Sequence, residues 1–218
     1  MMSKLATVKK TKKLSDQAYE IIKRAIIKNE LKPGEILAEE KLAEQLEISR
    51  TPIKSALIKL VHENIATVNV NNSIVVSNIT AHDVQQVTQV RRCLEELAVS
   101  LLENNITKKQ INELKKIDEK KCEAAAENNF EEYIEMDYLF HIKIARCTKN
   151  NFLAETVEWV NTIIKRYLIL SGTLSKYCQV ASQEHKDVLE AIEAGNFETA
   201  IQAMSHHLTN VDRRMLIH

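Results

Sequence analysis

The chain has 218 residues, 44% of them hydrophobic, with 30 basic side chains against 30 acidic ones. Three glycines and two prolines supply too little turn chemistry for a strand-rich sandwich or barrel, so a mainly helical fold of one or two domains is expected. No apolar run near the start suits secretion or membrane insertion, and the four cysteines, Cys93, Cys122, Cys147 and Cys178, form no CxxC pair, which points to free thiols in a reducing cytoplasm.

The even charge conceals a division. Residues 1–78 carry 13 Lys/Arg against 9 Asp/Glu, whereas residues 79–218 carry 17 against 21. A basic front attracts phosphate and an acidic rear repels it, so the two parts are expected to meet different partners. The opening MMSKLATVKKTKK holds five lysines and reads as a disordered basic tail over 1–13, either a solvated arm or a loose contact to a polyanion.

From residue 14 the pattern becomes helical. SDQAYEIIKRAIIKNE repeats Ala18, Ile21, Ala25 and Ile26 at helical spacing, with Ser15 as the N-cap. LKPGEIL breaks the pattern at Pro33 and Gly34; AEEKLAEQLEI then gives a short second helix and SRTPIKSALIKLVHEN a third. With Ser49 as cap, Pro52 falls in the first turn of that third helix, where backbone N–H groups lack intrahelical partners and a missing one costs little. IATV (65–68) and SIVV (73–76) flank NVNN as a small hairpin. Two helices joined by a short turn and followed by a hairpin form a winged helix-turn-helix over 14–78. In that layout the third helix enters the major groove by its N-terminal end, so Arg50, Thr51 and Lys54 face base edges and phosphates.

The string LKPGEILAEEKLAEQLEISRTPIKSALIKL followed by a hairpin resembles the N-terminal domain of the GntR family of bacterial transcription regulators from about Gln17 to Ser77, most specifically at PGEIL, LAEQL and SRTP. The resemblance implies that Lys41, Arg50, Thr51 and Lys54 contact operator DNA and that the hairpin tip at Asn71 and Asn72 reaches the minor groove. Departures from the family pattern are Glu47, Asn64 and Ser73 where it has Gly, and Lys54 where it has Arg. A lysine lacks the planar fork that grips guanine, so Lys54 is expected to hold phosphate or a single acceptor.

From Thr80 onward the chain reads as six helices of roughly 18 to 24 residues by their rise and spacing, an antiparallel all-helical bundle over 79–218. Helix openings fall at Thr80 with Asp83, at Thr107 with Gln110, and near Asn129, Asn151, Ser175 and Asn196. In NFEEYIEMDYLFHIKIA, Asp137 and His141 sit inside the apolar stripe of Phe130, Ile134 and Ile144. His185 lies near the stripe of Tyr177, Val180, Val188 and Ile192, and His207 flanks Ile201, Met204, Leu208 and Val211, while His206 points to solvent. One carboxylate and three imidazoles from three helices suit a divalent transition metal such as zinc, nickel or manganese. Alternatively, Asp137 and His141 form a satisfied polar pair and the other two histidines are unrelated.

The strings VRRCLEELAVSLL, DYLFHIKIARCTKNNFL and EHKDVLEAIEAGNFETAIQAMSHHL are similar to the FCD effector-binding domain of the FadR branch of GntR regulators, across nearly all of 80–215. The resemblance implies metal ligands at Asp137, His141, His185 and His207, and a small organic acid whose carboxylate takes the metal's open positions. It also implies an effector contact at Arg91, for which the alternative is an i,i+4 ion pair with Glu95. Thr88 stands where the family often has Tyr and Lys149 where it has Gly; Asn150 matches a recurring structural turn. Trp159 reads as core or dimer packing and the cysteines as small core or surface residues.

The expected whole is a cytoplasmic, homodimeric, ligand-responsive transcription regulator without enzymatic activity, which reads an inverted-repeat operator and is controlled by an acid bound at the metal. Two alternatives stay open: a metal-responsive regulator without organic effector, and a metal-dependent hydrolase with Glu184 as base.

Overall fold

A computed structural model describes residues 13–172 and 178–216. Within it the chain divides into two compact units, the first ending at Asn78 and the second starting at Ile79.

In the first unit α1 (Leu14–Ile27) turns Ala18, Tyr19, Ile22 and Ile26 inward. This is one position away from the expected face: Ile21 is 52% exposed. Tyr19 decides the rotation, because its ring is buried while its hydroxyl donates to Glu63 at the end of the third helix, 2.6 Å from Oε2. The helix also starts two residues earlier than expected. Lys13 is the N-cap, without a side-chain cap bond, and Ser15 falls inside the first turn.

After Gly34, whose φ of 80° only glycine adopts freely, α2 (Glu39–Gln45) leads through Glu47 to α3 (Arg50–His62). Ser49 is the N-cap and Pro52 lies in the first turn, as expected, although the Ser49 side chain makes no cap bond. Ile53, Ala56, Leu57 and Leu60 face inward at i, i+3, i+4, i+7 and are fully buried with Ile22, Leu42 and Ile65. The hairpin pairs β1 (Ala66–Val68) with β2 (Ile74–Val76), Ala66 opposite Val76 and Val68 opposite Ile74. A third extended stretch joins it, which the alternation in the sequence did not reveal: Leu37 N donates to Ile74 O at 2.8 Å, and Ile36 bridges Val75. At the tip, Asn69 Oδ1 accepts from the backbone of Asn71 and Ser73, and the left-handed residue is Asn72 rather than Ser73.

The second unit contains α4 (Ala81–Ser100), α5 (Lys108–Ala126), α6 (Phe130–Cys147), α7 (Asn151–Ser171), α8 (Cys178–Glu193) and α9 (Phe197–Leu216). Thr80 with Asp83 and Thr107 with Gln110 form reciprocal capping boxes, and Asn129, Asn150 and Asn196 accept from backbone N–H groups three residues on. The expected start near Ser175, and Tyr177 with it, lie outside the described residues.

Five of these helices close a ring: α4 packs on α9, α9 on α8, α8 on α5, α5 on α6 and α6 on α4, while α7 packs against α4 and α6. The ring interior is apolar at Leu102, Leu114, Phe140, Ile144, Val188, Ile192, Met204 and Leu208. Against that background the buried ionisable side chains of the five helices, Arg91, Glu95, Asp118, Lys121, His141, Glu184, His185 and His207, stand out. Among the described residues no helix is long and apolar enough to cross a membrane.

Candidate functional site

Helical periodicity puts Asp137 and His141 one turn apart on the inner face of α6, and α8 and α9 bring His185 and His207 to the same point. The three rings are 1% exposed or less. One nitrogen of each lies within 4.8 Å of one from every other. His185 Nε2 is 3.1 Å from His207 Nε2 and 3.4 Å from Asp137 Oδ1, and His141 Nε2 is 3.9 Å from Asp137 Oδ2. Asp137 thus stands at the edge of the three-nitrogen cluster, with a side chain 17% exposed.

Two carboxylates outside the cluster orient two of its rings. Glu184 Oε2 lies 2.9 Å from His207 Nδ1, and Glu95 Oε2 is bonded to His141 Nδ1. An ionised carboxylate only accepts, so each Nδ1 carries the proton and each Nε2 presents a lone pair inward. Burial raises the Glu95 carboxyl, but Arg91 and His141 outweigh it and hold it well below the carboxylate range. Glu184 is likewise raised by burial and brought down to about 2 by its bonds to His207 and Arg214. Burial lowers His207 to about 4, against the pull of Glu184, and burial with the nearby Lys121 charge puts His185 well below its ordinary value. His141 Nε2 and His185 Nδ1 are buried without a hydrogen bond.

These features fit a metal ion. Two converging lone pairs of fixed tautomer, a third ring and a nearby carboxylate form a nitrogen-rich donor set with its outer hydrogen bonds in place, and the orphaned His141 Nε2 is aimed into it. Without a cation that atom is buried and unsatisfied.

Arg91 is 2% exposed and its Nε donates to Glu95 Oε1 at 2.7 Å, so the i,i+4 ion pair is present. Its charge also reaches the cluster, where it helps lower His185 and His207. Asn161 Nδ2 donates to the same Glu95 oxygen at 2.9 Å. Glu184, the base a hydrolase would need, is fully engaged: Oε2 by His207 and Arg214, Oε1 by Asn210 and Arg214. Both Glu95 and Glu184 were missed as orienting groups. Glu95 carried a signal, one turn from Arg91 on the same face; Glu184 carried none, because it reaches its ring across to another helix.

In the first unit, Arg50, Thr51 and Lys54 are exposed on one face of α3 with Ser55 and Ile58. Arg50 is 3.8 Å from Glu39, a loose pair with the arginine 65% exposed. Lys41 is exposed on α2, and Asn71 and Asn72 are exposed at the hairpin tip.

A three-helix unit with a two-stranded wing, followed by a helical ring with a polar centre, is a winged helix-turn-helix joined in sequence to an all-helical domain. The gntR family profile of bacterial regulatory proteins matches residues 14–76 and the FCD domain profile matches residues 86–210. The chain belongs to the GntR family of bacterial regulators and carries an FCD domain behind its winged helix. It is 29% identical over 196 residues to the HTH-type transcriptional regulator YdhC of Bacillus subtilis, covering 89% of this chain and 87% of that one. To the HTH-type transcriptional regulator McbR of Escherichia coli it is 33% identical over 132 residues, 60% of either chain. The solved structure of E. coli McbR/YncC has the same fold, with a TM-score of 0.81 at 24% identity, covering 92% of this chain and 95% of that one.

Proposed function

We propose that the protein is a cytoplasmic, dimeric transcription regulator, not an enzyme, that binds an inverted-repeat operator and changes its DNA affinity when a small carboxylic acid binds at a metal held in the second unit. The observation that carries the sensing half is the pair of carboxylate-oriented imidazoles, Glu95 on His141 and Glu184 on His207, whose Nε2 atoms converge with His185 beside Asp137. Asp137, His141, His185 and His207 hold the ion, of zinc, nickel or manganese type, and the ion supplies an electrophilic anchor for a carboxylate. Arg91 adds positive charge to the same interior and is positioned by Glu95.

The DNA half rests on Lys41, Arg50, Thr51 and Lys54, all exposed, with Asn71 and Asn72 at the wing tip. Arg50 and Thr51 open the helix that carries them, where free N–H groups and the helix dipole favour phosphate. Dimerisation is supported by exposed apolar residues seven apart on two adjoining helices: Val90 and Leu97 on α4, Phe152 and Trp159 on α7. A dimer reads two half-sites, so an effector that alters half-site spacing lowers affinity by a coupling of about 1 to 3 kcal/mol.

The test is an operator titration at fixed salt with chelated, metal-loaded, and metal-plus-acid protein, alongside elemental analysis and native mass spectrometry. The reading requires an affinity change of about 5- to 150-fold in the third state. A change complete with metal alone replaces it with a metal-responsive regulator; no DNA affinity in any state defeats it.

A further inference from the structure

The metal cluster lies in an interior crowded with charges that mostly cancel in pairs. Arg91 meets Glu95 at 2.7 Å, and at the rim Arg92, its side chain 39% exposed, meets Asp212 at 2.9 Å. Arg214 is paired with Glu184, and Lys121 lies 3.3 Å from Asp118 one turn back on α5. Each pair sums to zero whichever partner holds the proton. The histidines bind metal as neutral rings. Among the charges that act on the histidine rings, the one left over is that of Asp137.

Lys121 is the unusual member. It is 0% exposed, its ammonium 3.9 Å from Asp137 Oδ1, between the rings of Phe140 (5.6 Å) and Tyr133 (5.9 Å), and it makes no hydrogen bond. A buried ammonium held only at ion-pair distance is poorly compensated, so packing alone gives little reason for it. It is a second cation at the edge of the site, opposite the α4 side that carries Arg91, since α6 lies between α4 and α5 in the ring.

The remaining balance is simple. A divalent ion set against Asp137, with the Arg91–Glu95, Arg214–Glu184 and Lys121–Asp118 pairs closed, leaves the cluster one negative charge short, and an unbalanced charge is costly where water is excluded. One carboxylate closes the balance. A second overshoots it.

Resting on the proposed metal-and-acid reading of this site, we propose that its ligand is a monocarboxylic acid, one negative charge per divalent ion, and that the Asp118–Lys121 pair of α5 sets that requirement. Removal of either partner alone shifts the balance by one unit, in opposite senses. Lys121→Met lets the ion neutralise Asp137 and Asp118 without an acid. Asp118→Asn leaves a surplus of two and calls for a dianion. Replacing both, with Asp118→Leu and Lys121→Met together, restores the original balance.

The experiment loads chelated full-length protein with zinc, measures the zinc affinity by competition with a chromophoric chelator, and titrates two four-carbon probes by calorimetry: 2-hydroxybutyrate, with one carboxylate, and malate, with two. Wild-type protein is expected to bind 2-hydroxybutyrate at least about tenfold more tightly than malate. Lys121→Met should bind zinc about tenfold more tightly and lose about tenfold in affinity for either acid, whereas Asp118→Asn should shift the preference toward malate by about tenfold. The double variant should return to the wild-type order, which a merely structural role of the pair does not produce. The proposal is overturned if wild-type protein prefers malate, if the single variants keep the wild-type ratio, or if single and double variants lose both acids alike. Wild-type protein that holds zinc but takes up neither probe defeats the underlying acid-sensing reading, and this inference with it.

Discussion

Glu184 accepts a hydrogen bond from His207 Nδ1–H at 2.9 Å, and the far nitrogen of the same ring therefore faces His185, 3.1 Å away. Sequence neighbours thus act from different sides of one ligand set: His185 belongs to the cluster, and Glu184, beside it on α8, orients a ring on α9. Asn210 and Arg214, one and two turns beyond His207, hold the other oxygen of Glu184 and fix its direction. Glu184→Gln can satisfy His207 Nδ1 through its carbonyl but loses the charge that strengthens the ring as a donor. Zinc affinity is expected to fall by about 10- to 100-fold, as for other outer-sphere partners of metal-bound histidine. Competition with a chromophoric chelator measures it; unchanged affinity would separate Glu184 from the metal centre.

The same burial gives the metal-free protein an acid sensitivity of definite sign. His207 titrates near 4 when folded against 6.5 when free, and burial likewise holds His185 well below its ordinary value. Between those values the unfolded chain binds protons that the native state refuses, so stability is complete above pH 6.5 and falls as the pH drops toward 4. Each ring contributes a slope of about 1.4 kcal/mol per pH unit in that window. Glu184, held near 2, and Glu95, lower still, add losses below pH 4.5. Urea melts of chelated protein from pH 7 to 4.5 should show the first decline, and His207→Asn should reduce its slope by roughly one ring's share.

The fold was largely legible in the sequence because its signals are local. Thr80 with Asp83 and Thr107 with Gln110 announce helix starts through reciprocal bonds three residues apart, and both boxes form. His141, His185 and His207 each lay on or beside an apolar stripe, which is enough to place a polar residue inside a bundle. What stayed hidden depends on neighbours distant in the chain. Ile21 and Ile22 fit the α1 stripe equally well until Tyr19 finds Glu63, and the extended stretch at Ile36 exists only because Val75 is beside it. Lys121 is the extreme case. A lysine in KKIDEKKCE reads as a solvated charge, and only the ring of helices shows it buried against Phe140 and Asp137.

Besides asparagines, which tolerate it, two charged side chains sit in the left-handed region that glycine adopts most freely. Glu47, between α2 and α3, has φ 53°, and Lys149, between α6 and α7, has φ 61°. Both are exposed, so replacement removes no packing. Left-handed backbone costs such residues about 1 to 2 kcal/mol, and the greater freedom of glycine in the unfolded chain offsets part of the gain. Glu47→Gly and Lys149→Gly are each expected to raise stability by up to about 1 kcal/mol in denaturant melts at fixed metal content. A loss of stability at either position would mean that the side chain contributes something its exposure does not reveal.

Arg50 and Lys54 sit one turn apart on the exposed face of α3, yet they should fail differently. Arg50 has the planar fork suited to a guanine edge, and its loose 3.8 Å pair with Glu39 leaves it available. Arg50→Ala should cost about 1 to 3 kcal/mol of operator binding and relax sequence preference at one base position, while binding to random DNA falls much less. Lys54, a compact charge, should act on phosphate. Lys54→Ala should weaken operator and random DNA by similar factors and reduce the slope of log K against log salt by about one. Titrations of both variants on operator and scrambled duplexes at three salt concentrations distinguish the roles. If Arg50→Ala reduces both duplexes equally and Lys54→Ala reduces only the operator, the two assignments are reversed, and base readout on this helix belongs to the lysine.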